Sequence, residues 1–340
     1  MIDFSFLSPV QDRIVDQIEQ LHGQAIGKKL MIHSSTNKPD LEGVKIAILG
    51  VLESRNSVDY IGEEFQLSEI RKAFYKLFPG NWLHGMADLG DIQKGASVED
   101  TYFALIQVVS NLVNANIIPL IIGGSQDLTY ANYRAYDKIS SMVNIVNIDK
   151  SFDLGDSSKP INNSSYLGKI ILEQPYNLFN YTAIGFQTYF NSQEEIDLME
   201  KLYFESYRLG DISRSISLVE PVLRDADIVT LDLKSIKSSE VSLKQKYSPN
   251  GFDGREICTI SRYIGISNKV SSFGIYEYNP SQDDEATSML VAQILWYFIE
   301  GVNCRVNDDD FNDQNNFQKF TVLVEDQELV FFKSKKTGRW

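Results

Sequence analysis

Several apolar runs in this 340-residue chain end in acids, amides or a lysine. One is followed by Gly123-Gly124-Ser125-Gln126-Asp127, and another by Asp149-Lys150-Ser151-Phe152-Asp153. A third carries Thr230-Leu231-Asp232-Leu233-Lys234, and a fourth leads into Glu277-Tyr278-Asn279-Pro280. Carboxylates gathered in this way can hold an oxygen-preferring cation, serve as general acids and bases, or cap helices. Asp149 and Asp153 converge if the chain turns after its strand. Asp232 and Lys234 share a face if the strand runs through both, because strand side chains alternate. A single acid at a strand end reads as a loop or capping residue, whereas four strand ends with the same pattern point to one site.

Histidine is missing from every one of these segments. The three in the chain, His22, His33 and His84, all precede the first glycine-rich strand end and read as surface or packing residues. Cys258 and Cys304 are the only cysteines, and neither has a histidine base in view. Two isolated thiols in a chain of this size suit a reducing compartment, so a cytoplasmic protein is expected.

The segments that carry these residues must be strands. Residues 44–49, 117–122, 143–148, 183–186, 228–233 and 270–276 are short and mostly continuously apolar, as strands buried on both faces are. Helix-period segments alternate with them. Ser97 can cap a helix whose stripe is Leu105, Val108, Val109, Leu112 and Val113. A second helix is expected over 284–300, with Leu290, Ile294, Trp296 and Phe298 apolar and Asp283, Asp284 and Glu285 at its positive end. The fold class that follows is α/β, a mostly parallel sheet covered by helices, whose ligands belong at the carboxyl ends of the strands.

One domain is expected over 1–306. Residues 307–316 read as a polar, acidic loop. Residues 320–324 and 328–332 read as a β-hairpin around Glu325-Asp326-Gln327, followed by a tail carrying Lys333, Lys335, Lys336 and Arg339. The segment 307–340 is thus an appendage packed on the same domain and a candidate protein-partner or homo-oligomer contact. The net charge of −14 argues against a nucleic-acid surface. No signal peptide or membrane-spanning run is expected.

Taken in order, further segments resemble the ureohydrolase family of arginases, agmatinases and formimidoylglutamases, nearest to the formimidoylglutamase-like branch. They include Ile46-Ala47-Ile48-Leu49-Gly50-Val51, Leu67-Ser68-Glu69-Ile70-Arg71 and Asp88-Leu89-Gly90-Asp91-Ile92. Ile121-Ile122-Gly123-Gly124, Ile184-Gly185-Phe186-Gln187, Ser248-Pro249-Asn250-Gly251-Phe252 and Glu277-Tyr278-Asn279-Pro280 follow. The resemblance implies a three-layer α/β/α arginase-like fold.

It also implies two manganese ions on six side chains. Asp149, Asp153 and Asp232 stand at three ligand positions. Gln126, Ser151 and Lys234 replace a histidine, a histidine and an acid. Glu277 matches the acid that meets the guanidinium-like end of the substrate. The proton-shuttling histidine would lie near residues 162–167, which contain none.

The first metal position, with Gln126, Asp149, Asp153 and Asp232, becomes an all-oxygen set suited to Mg²⁺ or Ca²⁺. At the second, an ammonium ~4 Å from a divalent ion is repelled by roughly 8 kcal/mol at an effective dielectric of 20. Lys234 is therefore expected to take that ion's place, paired with Asp149 and Asp232. No cofactor is expected, or at most one Mg or Mn ion. The leading expectation is a catalytically inactive member, a pseudoenzyme acting as a binding, scaffold or regulatory subunit. The alternative is an active C–N hydrolase with a rebuilt one-metal site and a neutral Lys234 as base. Glu277 could also retain a guanidinium or amine ligand.

Overall fold

The computed structural model describes residues 3–60, 64–139, 142–156, 158–243, 248–279, 285–305, 316–324 and 327–335. Nine strands form one sheet: β1 (Met31–Ile32), β2 (Val44–Val51), β3 (Gly85–Ile92), β4 (Ile118–Gly123), β5 (Val143–Ile148), β6 (Leu178–Phe186), β7 (Glu205–Arg208), β8 (Ile228–Asp232) and β9 (Ser272–Tyr276). Their spatial order is β1-β3-β2-β4-β9-β8-β5-β6-β7. Every pairing between them is parallel. Strands β2, β4, β5, β8 and β9 are buried almost throughout, which explains their unbroken apolar character.

Two apolar clusters line the sheet. One brings the helices Ser68–Lys76, Gly254–Ile266 and Glu285–Asn303 onto one face through Phe74, Ile260, Ile264, Ile294 and Phe298. The other brings the helix Val98–Asn114 onto the opposite face through Leu105, Val108, Val109 and Leu112. The α/β/α layering is as expected. Ser97 caps the latter helix, accepting from Asp100 N while Asp100 returns the bond to the Ser97 backbone.

The strand order reverses twice. From β2 the chain steps outward to β3 and then crosses to β4; from β5 it steps outward through β6 and β7 and then crosses to β8. A reversal opens a crevice at the carboxyl ends of the two flanking strands. The second crevice lies between β5 and β8, where Asp149 and Asp232 stand.

Three strands lie outside the apolar runs. β3 (GMADLGDI) is buried but contains Asp88 and Asp91, residues that count against a strand until their partners are known. β1 has two residues, and β7 is a largely exposed edge strand. β8 ends at Asp232, and Leu233–Ser235 form a 3₁₀ turn. Lys234 is therefore on a turn, which corrects the expectation that it continues the strand. Asp232 makes that turn by accepting a 2.5 Å hydrogen bond from Lys234 N.

Beyond the sheet, β10 (Phe317–Val324) and β11 (Gln327–Ser334) form a separate antiparallel ribbon of eight rungs. Residues 306–315, Glu325, Asp326 and residues 336–340 lie outside the described residues, as do Pro280, Asp283 and Asp284. Among the described residues, no helix is long and apolar enough to cross a membrane.

Candidate functional site

Asp149 and Asp153 follow β5, and Asp232 ends β8. One carboxylate oxygen from each lies within 4.8 Å of the other two. Asp153 has φ of 56°, in the left-handed region. Such a conformation costs a non-glycine residue on the order of 1 kcal/mol or more, and here it accompanies the turn that brings Asp153 back to Asp149. Glu277 has φ of 64°. Its backbone N–H donates to Gly124 O at 2.5 Å, and its Oε1 accepts from Gln126 N at 2.8 Å. The loops after β4 and β9 are thereby locked together beneath the site.

Lys234 Nζ lies 3.2 Å from Glu277 Oε2, 3.3 Å from Asp232 Oδ2 and 3.5 Å from Asp59 Oδ2. The expected partner Asp149 is outside ion-pair distance, because the 3₁₀ turn carries the ammonium toward Glu277 instead. Asp59 and Asn163 were not signalled by any pattern in the sequence. Asn163 Nδ2 donates to Glu277 Oε1 at 3.0 Å and to Asp59 Oδ2 at 3.5 Å, and its Oδ1 accepts from Val58 N. Both sit in loops, where only three-dimensional proximity assigns them a role.

The replaced positions are all built into the structure. Gln126 Nε2 donates to Asn147 Oδ1 at 3.2 Å and to Tyr166 OH at 3.4 Å. Ser151 Oγ donates to Asp153 Oδ1 at 2.8 Å. The histidines are elsewhere: His33 Nδ1 is 2.9 Å from Leu89 O, His22 packs edge-on against Phe78, and the backbone at His84 donates to Asn303.

The electrostatics are lopsided. Asp59, Asp149, Asp153, Asp232 and Glu277 lie around the ammonium of Lys234, and Lys150 adds a weaker positive influence on Asp232. Burial pushes Asp232 up to about 7 and Asp153 up to about 6. Burial, reinforced by Asp153, raises Asp149 well above the usual carboxylate range. Burial alone would lower Lys234, but Asp232, Glu277, Asp149 and Asp153 hold it well above its ordinary value. The ammonium is a fixed charge.

Asp149 Oδ2, Asp153 Oδ2, Asp232 Oδ2, Glu277 Oε2 and Gln126 Oε1 are buried and accept no hydrogen bond. For Asp232 and Glu277 those oxygens are within ion-pair range of Lys234 but out of line for a hydrogen bond. Buried acceptors without donors are costly, and a divalent cation satisfies several at once. The Asp149, Asp153 and Asp232 cluster could hold a metal, with Gln126 Oε1 as a further neutral oxygen. The residues do not fit a second ion, since Lys234 stands among the acids that would bind it.

The arginase family model matches residues 44–300. The chain belongs to the arginase family. Among its curated relatives, formimidoylglutamase of Streptococcus gordonii is 24% identical over 289 residues, covering 78% of this chain and 87% of that protein. Formimidoylglutamase of Geobacillus sp. (strain WCH70) is 24% identical over 238 residues, covering 66% and 72%. Formiminoglutamase of Trypanosoma cruzi, solved with Mn²⁺, superposes with a TM-score of 0.70 at 17% identity, covering 79% of this chain and 97% of its own. Formimidoylglutamase of Bacillus subtilis gives 0.70 at 20% identity, covering 78% and 90%. At these identities the structures establish the arginase-family fold.

Proposed function

We propose that this chain is a non-hydrolytic formimidoylglutamase-like protein that works as a binding or regulatory subunit. One observation carries the reading: Lys234 Nζ sits 3.2 Å from Glu277 and 3.3 Å from Asp232. By resemblance, Asp232 would serve the metals and Glu277 would receive the amidine end of a substrate. A single ammonium thus fills both roles, and a guanidinium ligand would have to displace it. Asp149, Asp153 and Asp232 retain the donor set for one oxygen-preferring ion, which would supply charge neutralisation there. Activating water at neutral pH is the usual service of the metal in hydrolysis, and the second half of a two-metal arrangement is closed.

The unpartnered oxygens favour a second reading, a one-metal C–N hydrolase. It requires Lys234 to act as a neutral base, whereas the surrounding acids hold it protonated. Metal analysis of the purified protein and assays with formimidoylglutamate, arginine and agmatine distinguish the two. At most one divalent ion per chain and no turnover above background are expected. Two bound manganese ions with robust turnover would overturn the proposal.

A further inference from the structure

We propose that a second cavity, apart from the Asp149 cluster, binds a small dicarboxylate between Arg208 and Lys237. The cavity, about 430 Å³, opens where β6 and β7 end. That size is within the range of small-molecule sites. One wall comes from Phe186, Tyr189 and Arg208, and another from Lys237, Asn250 and Glu256. None of the five acids around Lys234 lines it, so the site does not depend on what happens at Asp149.

Two cations line this cavity in a chain whose net charge is −14. Arg208 ends β7, and its guanidinium lies over the buried Phe186 ring, 5.8 Å from the centroid. Such stacking holds the planar group in place and leaves its edge free to donate. Among the described residues that guanidinium has no hydrogen bond or ion pair, although Glu205 and Asp211 are each three positions away. Glu205 instead accepts from Tyr207 OH at 2.9 Å. Lys237 Nζ is 3.8 Å from Asp253 Oδ2, a long ion pair, and its side chain is 34% exposed. Glu256 is the one carboxylate on the wall. Its Oε2 accepts from Asp253 N at 2.8 Å, in the capping box of the helix Gly254–Ile266.

The wall between the cations is braced. Gln187 Nε2 donates to Asn250 O, and Asn250 Nδ2 donates to Gln187 Oε1, both at 3.2 Å. Asn250 Nδ2 also donates to Tyr189 OH at 3.0 Å, and Tyr189 OH donates to Gln187 Oε1. Lys237 N donates to Phe252 O and Phe252 N to Ser235 O, both at 2.9 Å, which ties Lys237 to the turn that carries Lys234. A preformed wall reduces the ordering cost of binding. The chemistry of the ligand follows from the donors. A guanidinium fork matches the two oxygens of a carboxylate, and an ammonium on a separate element calls for a second anionic group. The free hydroxyls of Thr188 and Ser213, also on the wall, add donors without charge.

Calorimetric titration of the full chain with succinate tests this, at low ionic strength so that the charges are not screened, and without divalent ions. One succinate per chain is expected. Arg208→Gln, a surface change that leaves the melting temperature unaltered, should raise the dissociation constant about tenfold. Arg208→Lys should recover only part of that loss, since an ammonium lacks the fork. Lys237→Gln should weaken binding about fivefold. Succinamide, similar in shape but uncharged, should not bind. Absence of succinate binding, binding indifferent to Arg208→Gln, equal binding of succinamide, or tighter binding of inorganic phosphate than of succinate would overturn the proposal.

Discussion

Two buried clusters in this protein set one cation against carboxylates, and they resolve differently. Beside β3, Arg71 Nε donates to Asp88 Oδ2 at 2.9 Å and Nη2 to Asp88 Oδ1 at 3.1 Å. Nη1 lies 2.8 Å from Asp91, Tyr75 OH donates to Asp88 at 2.8 Å, and Gly90 N donates to Asp88 Oδ1 at 2.9 Å. Two acids there share a forked guanidinium and two further donors. Beside β8, five acids face the ammonium of Lys234, with Lys150 acting more weakly on Asp232, and several of their oxygens accept nothing. Of the four carboxylate oxygens in the first cluster, one, Asp91 Oδ1, accepts no hydrogen bond, and it lies 2.8 Å from Arg71 Nη1, so this cluster is a nearly closed structural joint. The second keeps unused negative charge, and that surplus marks it as the candidate site.

Substitutions should separate the clusters. Arg71→Leu leaves Asp88 and Asp91 buried without their cation, and breaking such a pair costs about 3–5 kcal/mol. Urea unfolding should show that loss, and added Mg²⁺ should leave it unchanged. A loss below about 1 kcal/mol would deny the joint its structural role.

Lys234→Met should cost less, about 2 kcal/mol at neutral pH, because burial already raises Asp149, Asp153 and Asp232, so that proton uptake by these acids offsets the lost ammonium. Its diagnostic is a larger thermal shift with Mn²⁺ or Mg²⁺ than wild type shows, since ligand binding stabilises the folded state by mass action. Equal shifts in the two proteins would mean that Lys234 does not exclude a second ion.

The legibility of these clusters in the sequence follows the same division. Asp149, Asp153 and Asp232 were readable because each ends an apolar run, and a strand end is a position with known chemistry. Gln126, Ser151 and Lys234 stood out through the family pattern. The Arg71 joint escaped, because Asp88 and Asp91 look unsuited to a buried strand until a helix twenty residues earlier supplies the guanidinium. Asp59 and Asn163 escaped for a related reason: they lie in irregular loops, and nothing in their spacing announces that they meet at Glu277. Lys234 was expected on the wrong element, as a strand and a 3₁₀ turn diverge within two residues and the apolar Leu233 suits both. That small difference moves the ammonium from Asp149 to Glu277, so the proposed role of Lys234 extends from one metal position to the acid that, by resemblance, would meet an amidine.

Acid–base titration gives the finest test of the contrast. Asp153 at about 6 and Asp232 at about 7 are raised above the carboxylate value of 3.8. A raised acid binds its proton more tightly in the folded chain than in the unfolded one. Between pH 4 and 7 the folded state therefore holds more protons, and stability falls as pH rises, by at most about 1.4 kcal/mol per pH unit for each excess proton. The urea midpoint without divalent ions should decline across that window. A cation bound to Asp149, Asp153 and Asp232 favours their ionised forms, so added Mg²⁺ or Mn²⁺ should flatten the decline. An increase in stability from pH 5 to pH 7, with or without metal, would mean that the carboxylates are already satisfied, and the difference between the two clusters would disappear.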